Sequence, residues 1–380
     1  MKNLIRKDYR HFKKGWKKSE INNIETGFIM ALTYKEMHDT FNALEKTANY
    51  IENHWEDIGT FFISGKRFVF VGCGSSYSNA KSFAMICNMN TGLPAMALAA
   101  GDILLHTERY KKSIDGAAVV FISRSGRTSE LIKALDAMKA LNFNIKVASF
   151  ICADDTPLGE KSDLVLSTPW AFDESVCQTR CVTNAYFMAA YIAAKITDNN
   201  SVLKDLRLMI TEGPTFTEKA EALAKELAVK PWTHTVVLAD AELEGIAEEG
   251  ALVFKEVCQL PSSYYHLLDV RHGPMVLIGN ETLVIVALGT SCELEINLLN
   301  DIKAKGANIV AFTDNTDLPA DLTDISIARV VTVSRFDEKL SHIAKGIPVI
   351  ILCQMIAYYK SKETGADPDK PTGLDAWISL

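Results

Sequence analysis

The sequence has no Cys-x-x-Cys pair, no run of 18 consecutive apolar residues and no excess of basic charge. Without paired cysteine motifs, the eight cysteines at 73, 87, 152, 177, 181, 258, 292 and 353 do not read as a zinc or disulfide framework. Cys177 and Cys181 are four apart, half of a metal site's spacing, but no second pair with histidines follows, so they read as buried thiols. This usage fits a reducing compartment, and a cytoplasmic location is expected. Without a long apolar run, no membrane-spanning segment is expected. The net charge of −7 argues against nucleic acid or an anionic membrane as partner. The start, MKNLIRKDYRHFKKGWKK, is basic but has no apolar centre, so it does not read as a signal peptide.

What is present is an ordinary globular composition over 380 residues, 48% hydrophobic and 23% charged, long enough for two cores. Residues 1–29 stand apart, as a docking arm, a loosely ordered leader or an over-extended start. Helical patterning begins near Met30. From residue 67 a short apolar strand, a Gly/Ser turn and a helix alternate repeatedly. RFVFVGCG, AMALAA, GAAVVFIS, IKVASFI and DLVLST read as five strands. Short continuous apolar strands between helices imply a parallel α/β sheet covered on both faces. The charged helical segment 200–228 reads as a connection. The pattern then restarts with HTVVLAD, a long helix from AELEG to VCQL, ETLVIVALG, NIVAFTD and ISIARVVTV, and a helix at 339–360 closes the body. Two similar units in succession suggest a duplication. The expected domains are 30–215 and 216–365, with a tail at 366–380 that reads as extended.

Two turns in the first half are rich in hydroxyls. Gly72-Cys73-Gly74-Ser75-Ser76-Tyr77 and Ser123-Arg124-Ser125-Gly126-Arg127-Thr128 each join a strand to a helix. Glycine lets the backbone approach a ligand, and the following helix offers unpaired N–H groups and a partial positive charge. Together they suit a phosphate dianion. The first turn is not a dinucleotide fingerprint, because Tyr77 stands where the third glycine belongs. It is not a P-loop either, because no Gly-Lys-Ser/Thr follows.

In the second half, Glu249, Val253 and Glu256 are spaced to share one helix face bordered by Ile246 and Leu252. A half-buried carboxyl there has a raised pKa and suits proton transfer. Glu244 and Glu248 read as a solvated face. Val270-Arg271-His272-Gly273-Pro274 then fixes a turn. On these residues alone His272 is equally a structural turn residue and a histidine that opens a sugar ring.

At these residues the chain resembles the sugar isomerase (SIS) family, in particular the isomerase half of glucosamine-6-phosphate synthase and its shorter relatives. GCGSSYSN and SRSGRTSELIKAL resemble the family's phosphate loops. ESVCQTRCVTNA resembles the segment that closes over the sugar. EEGALVFKE followed sixteen residues later by RHGP resembles the catalytic helix and histidine turn. The resemblance covers roughly residues 30–380. It implies two tandem flavodoxin-like domains, each a parallel sheet sandwiched by helices. It implies a sugar phosphate held by Ser75, Ser76, Ser123, Arg124, Ser125 and Thr128, in a pocket bordered by Gly74, Val176 and Arg271. Glu256 is then the base that moves a proton between C1 and C2, Glu249 a supporting carboxylate, and His272 a ring-opening group supplied by the second subunit of a homodimer. No cofactor and no metal are implied.

Departures from the family pattern set the remaining expectations. No glutaminase segment is read in the chain. Val253 stands where the synthase carries a lysine, and the tail reads Gly373-Leu374-Asp375-Ala376-Trp377 where the synthase carries another. Both weigh against aminating synthesis. Isomerisation or deamination of a hexosamine 6-phosphate is expected, with two alternatives. One is deglycation of a fructosamine 6-phosphate, and the other is a non-catalytic sugar-phosphate sensor. VVLADAELEG has no Gly/Ser turn, so only the first domain is expected to bind phosphate.

Overall fold

In the computed structural model, residues 31–290, 292–313, 329–332, 340–376, 378 and 380 are described. The leader expected at 1–29 lies outside them. So does the part of the strand expected at ISIARVVTV that flanks Arg329–Thr332.

The first half opens with helices α1 (Leu32–Asn53) and α2 (Trp55–Ser64). Five strands follow: β1 (Phe68–Gly72), β2 (Ala95–Ala99), β3 (Ala118–Ser123), β4 (Lys146–Ile151) and β5 (Leu164–Ser167). Between them run α3 (Ser75–Ile86), α4 (Ala100–Leu105), α5 (Thr107–Ile114) and α6 (Ser129–Ala140). Helix α7 (Arg180–Ile196) leads into the long helix α8 (Asn200–Ala228). The connection expected at 200–228 is therefore one helix, and the expected boundary at 215/216 falls inside it, beside Pro214.

The second half contains β6 (His234–Leu238), α9 (Glu244–Val257), β7 (Ser262–Tyr265), β8 (Thr282–Ala287), α10 (Glu293–Ala304), β9 (Asn308–Thr313), β10 (Arg329–Thr332) and α11 (Gly346–Thr364). Strand β7 was not expected from sequence. Its residues, Ser-Ser-Tyr-Tyr, carry no aliphatic side chain.

Both sheets are parallel throughout, in the orders β2-β1-β3-β4-β5 and β10-β9-β8-β6-β7. Renumbered within its own half, the second order is the first. Each is a flavodoxin-like 2-1-3-4-5 sheet, and the duplication read from the sequence is a duplication of topology. In such a sheet the strand order reverses between the first and third strands, and ligands bind at that crevice, outside the carboxyl ends. In the first half the crevice lies between the turns after β1 and β3. These are the two hydroxyl-rich turns.

The two halves share one core. Helix α11 is buried on every side from Gly346 to Tyr358. It belongs to the stretch His342–Thr364, which by length and composition is apolar enough to cross a membrane, although Lys345, Gln354 and Lys360 break it into shorter apolar runs. Here 89% of that window is packed inside the protein. A helix apolar all round belongs to a core when neighbours cover it.

Helix α9 meets α3 of the other half at small residues. A Cβ on Gly245 would lie 2.0 Å from the Ser78 carbonyl oxygen, so the two backbones touch. A second bond set ties the tail to the start of the body. The Asp369 carboxylate accepts from the amides of Leu32 and Thr33 at 2.7 and 2.8 Å and from the Thr33 hydroxyl at 2.7 Å. It caps a helix that begins 337 residues earlier.

Candidate active site

Both hydroxyl-rich turns open onto one cavity of about 150 Å³, partly open to solvent. The first turn places Gly74, at φ +53°, before α3, and Ser75 and Ser76 lie buried in the helix's first turn. Gly72 has no room for a side chain, because a Cβ would sit 2.3 Å from the Ser76 backbone. The second turn is held by its own hydroxyls. Ser123 Oγ accepts from the Gly126 amide at 3.0 Å, and Ser125 Oγ accepts from the Arg127 amide at 3.1 Å. Thr128 precedes α6 and makes no side-chain capping bond. Ser123, Ser125 and Thr128 line the cavity with Ser75, Ser76 and Gly74.

Arg124 lines it too, but its guanidinium is engaged elsewhere. Nη1 donates to the carbonyls of Ser175 at 2.7 Å and of Asp173 and Val176 at 3.3 Å, and Nη2 donates to the Ala376 carbonyl at 2.7 Å. The side chain is a bracket between two walls. Arg127 points away, to the Asp155 carbonyl at 3.0 Å.

The wall carrying Val176 and Gln178 is set by buried carboxylates. Glu36 of α1 accepts from the Glu174 and Ser175 amides at 2.6 and 3.2 Å and from the Ser175 hydroxyl. Burial, with Asp173 close by, pushes its carboxyl above the ordinary range. Asp173 accepts from the amides of Thr179 and Cys181 at 2.8 and 3.0 Å, fixing the start of α7. The amides of Val176 and Cys177 donate to the carbonyls of Asp369 and Pro368. Cys177 and Cys181 are buried thiols. Among the described residues no group of three His, Cys, Asp or Glu side chains could hold a metal ion.

Glu256, near the end of α9, reaches the same cavity from the second half. It makes no hydrogen bond among the described residues. Burial pushes its carboxyl up to about 7, against the opposing pull of Arg124 and Lys255. Glu249 sits two turns earlier on the same face and is 1% exposed, outside the cavity lining. Neither of its oxygens completes a hydrogen bond, although the Ser75 and Ser78 hydroxyls stand beside it. Burial, with Glu256 nearby, holds its carboxyl well above the ordinary range. Glu248 leaves this cluster for an ion pair with Lys81 at 2.8 Å.

His272 and Arg271 are not in this cavity. His272 is exposed in the turn after β7, and Arg271 pairs with Asp301 at 2.6 Å. One chain thus brings Glu256 and the seryl turns together and leaves His272 on its surface. Exposed Val276 and Leu277 follow it, 80% and 70% accessible.

Several cavity residues were missed from sequence. Cys73, Glu130 and Gln178 lie within motifs that were singled out. Leu374, Asp375, Ala376 and Ile378 belong to the tail, which returns to the first half. The Ser129 amide donates to the Ile378 carbonyl at 3.4 Å, and the Leu380 amide donates to Ser129 Oγ at 3.1 Å. No local pattern encodes this return. The one available signal was Asp369, an acid able to cap a helix without a helix of its own.

The corresponding turn of the second half is filled. After β8, the Glu295 carboxylate accepts from the amides of Gly289, Thr290 and Cys292 at 2.7, 3.1 and 3.1 Å. Glu295 is the third residue of α10. The third residue of α6 is Leu131, which is buried in the core.

The SIS domain model matches residues 61–195. The chain is 25% identical over 359 residues to the glutamine–fructose-6-phosphate aminotransferase (isomerizing) of Brucella melitensis, covering 90% of this chain and 56% of that protein. It therefore spans little more than half the length of such relatives. Among solved structures, a glucosamine-6-phosphate deaminase from Thermotoga maritima superposes with a TM-score of 0.76 at 24% identity, covering 92% of this chain and all of that one. The tagatose-6-phosphate ketose/aldose isomerase of Escherichia coli superposes with a TM-score of 0.74 at 18% identity, covering 91% and 96%. The chain carries a SIS domain at residues 61–195, within a two-sheet fold that it shares with phosphosugar isomerases.

Proposed function

We propose that the protein is an enzyme acting on a hexosamine 6-phosphate, moving a proton between C1 and C2 through an enediol-type intermediate (an enolamine where C2 carries the amine) and so isomerising the sugar, or deaminating it when water adds to the C2 imine and ammonia leaves. The observation that carries this reading is Glu256, a carboxyl poised at about 7 in the cavity that also holds the seryl turns. A base works best when its pKa lies near the working pH. The turns after β1 and β3 supply hydroxyls and helix N-termini for the phosphate, which anchors C6 and leaves C1 and C2 for Glu256. Arg124 contributes through its backbone and by holding the wall, since its guanidinium is taken up by carbonyls. Glu249 supports the site from behind Ser75 as a neutral acid. His272, exposed beside an apolar surface, opens the sugar ring in the cavity of a second copy, which makes the working unit a homodimer.

Deglycation of a fructosamine 6-phosphate is the second reading. It uses the same base at the same carbons and releases an amine in place of exchanging a carbonyl. Incubation with phosphorylated hexosamines and fructosamines in deuterated water separates the two by NMR. Deuterium at C1 of a ketose product, with ammonia release in the case of deamination, supports the first, and release of a substituted amine with deuterium at C2 of an aldose product supports the second. Binding without turnover of any member would leave a sugar-phosphate sensor.

The phosphate cradle has its own test. Ser125→Ala removes one hydroxyl from the anion and one acceptor from the Arg127 amide. A hydrogen bond to a charged group contributes about 1.5–3 kcal/mol, so affinity for a phosphorylated hexose should fall about ten- to a hundredfold. Calorimetry on the variant should show that loss with the thermal unfolding temperature nearly unchanged. Equal affinity would remove the cradle.

A further inference from the structure

A second, smaller cavity adjoins the first. Its volume is about 10 Å³, room for a single water molecule. Ser76, Ser123, Arg124 and Gln178 line both cavities, so the small one backs onto the residues proposed to hold the phosphate.

Two of its lining residues carry an unmatched polar atom. Arg124 is 6% exposed, and its terminal nitrogens donate to four carbonyls, but its Nε–H finds no acceptor among the described residues. Asn79 is 2% exposed, and its Nδ2 donates to the Val182 carbonyl at 3.3 Å, but its Oδ1 finds no donor. A buried polar atom left in this state is destabilising, and native proteins pair such atoms with protein or with ordered water. The neighbouring polar side chains are otherwise engaged. Asn184 donates to Thr168 Oγ1 at 3.1 Å, and Gln178 Oε1 accepts from the Cys181 thiol at 3.2 Å. The Ser76 hydroxyl makes no hydrogen bond among the described residues. It stands three residues before Asn79 on α3, on the same face of the helix.

We infer that the small cavity is a water site, in which one molecule accepts from Arg124 Nε–H and donates to Asn79 Oδ1 and to the Ser76 hydroxyl oxygen. Three hydrogen bonds are the usual number for a buried water. The functional consequence rests on the proposed phosphate site. A hydroxyl oxygen that accepts from the water has its own proton to give, and the larger cavity is where that proton meets an anion. The charge of Arg124 then reaches a bound phosphate through the water and Ser76, each bond polarising the next. Asn79 lies outside the lining of the larger cavity and is a positioning residue. By taking one of the water's two protons it leaves the other for Ser76 and fixes the direction of the chain.

A crystal structure of the unaltered protein at a resolution that orders buried water tests the site. A water within hydrogen-bond distance of Arg124 Nε, Asn79 Oδ1 and Ser76 Oγ is expected. No water there, or one that leaves Arg124 Nε or Asn79 Oδ1 unpaired, overturns the inference and leaves the proposed function standing. Asn79→Leu then tests the role, since it removes the acceptor and keeps similar bulk. The water should be lost, and calorimetry with fructose 6-phosphate and with inorganic phosphate should show affinity lower by about tenfold, the scale of one hydrogen bond to a charged group. With the member of the hexosamine and fructosamine 6-phosphate panel that turns over, KM should rise by about the same factor while kcat stays within about threefold. A general disturbance of the site would lower kcat as well. Full phosphate affinity in a variant that has lost the water overturns the link through Ser76. An unaltered protein that holds the water and binds neither fructose 6-phosphate nor inorganic phosphate overturns the phosphate site and this link together, and the water site stands. The first structure decides the site even where the variant does not fold.

Discussion

Replacing Glu256 by glutamine should lower turnover of the phosphorylated substrate by about a hundred- to ten-thousandfold, the range over which a positioned acid–base group acts. The amide keeps the shape and loses the proton acceptor. Binding of the substrate should change far less than turnover, because the proposed phosphate anchor lies on the other sheet. The wild-type protein should also show a characteristic pH dependence. A base acts when deprotonated, and the Glu256 carboxyl is pushed up to about 7 by burial. The value of kcat/KM should therefore rise as pH passes through about 7 and then level off. The variant should lose that limb. Its fold should not suffer. A folded-state pKa raised above the ordinary value gives stability that is present below about 4.5 and lost as pH rises through about 7. Glutamine avoids that loss, so the variant should unfold no earlier than the parent at pH 8. Full turnover by Glu256→Gln would overturn the assignment.

Gly245→Ala should be strongly disruptive. Its Cβ would lie 2.0 Å from the Ser78 carbonyl oxygen and 2.7 Å from the Ser82 amide, both backbone atoms. Neither can rotate away, so α9 and α3 must separate. Overpacking of this kind costs about 1–3 kcal/mol. The functional effect should be larger than that figure implies. Helix α3 begins at the first seryl turn, and α9 carries Glu256. Pushing them apart moves the proposed base away from the proposed anchor, and a displacement of about 1 Å costs on the order of a hundredfold in rate. Denaturant unfolding would report the first effect, and steady-state kinetics under conditions where the variant is folded the second. Wild-type stability and rate would show that the contact is looser than the geometry indicates.

The sheets were legible in the sequence because their strands are buried on both faces. Val119, Val120, Phe121 and Ile122 in β3, like Val284, Ile285 and Val286 in β8, are continuous apolar runs that parallel sheets require. Strand β7 escaped because Ser-Ser-Tyr-Tyr meets its partner through the backbone and offers no such run. The two seryl turns were legible because glycine and hydroxyls concentrate there within six residues. Glu256 was legible from its place on a half-apolar face.

The tail was not legible in this way. Its contribution depends on Asp369 meeting Leu32 and Thr33, and on Ile378 meeting Ser129, which are separated by hundreds of residues. Local composition reads those residues as extended, and extended they are, but composition does not say against what. Arg124 is a different lesson. Its position in the turn suggested a charge for the phosphate, while its guanidinium reaches past the ligand space to four carbonyls. Only the packed wall of residues 173–176 decides between those uses.

The carboxylate of Glu295 has a thermodynamic consequence. Three amides that would greet an anion in the turn after β8 are satisfied by the chain itself, in every molecule and at every ligand concentration. The second half therefore carries its counter-ion as part of its covalent structure. In the first half Leu131 takes the matching position, and the turn after β3 is left open to the cavity. Stabilisation by a ligand grows with the logarithm of its concentration above its dissociation constant. On the proposed reading only the turns of the first half take part in that linkage. Substrate supply would then stabilise the whole folded chain, whose two halves share one core, through the first half's turns, while the turn after β8 adds the same contribution whether the substrate is abundant or scarce.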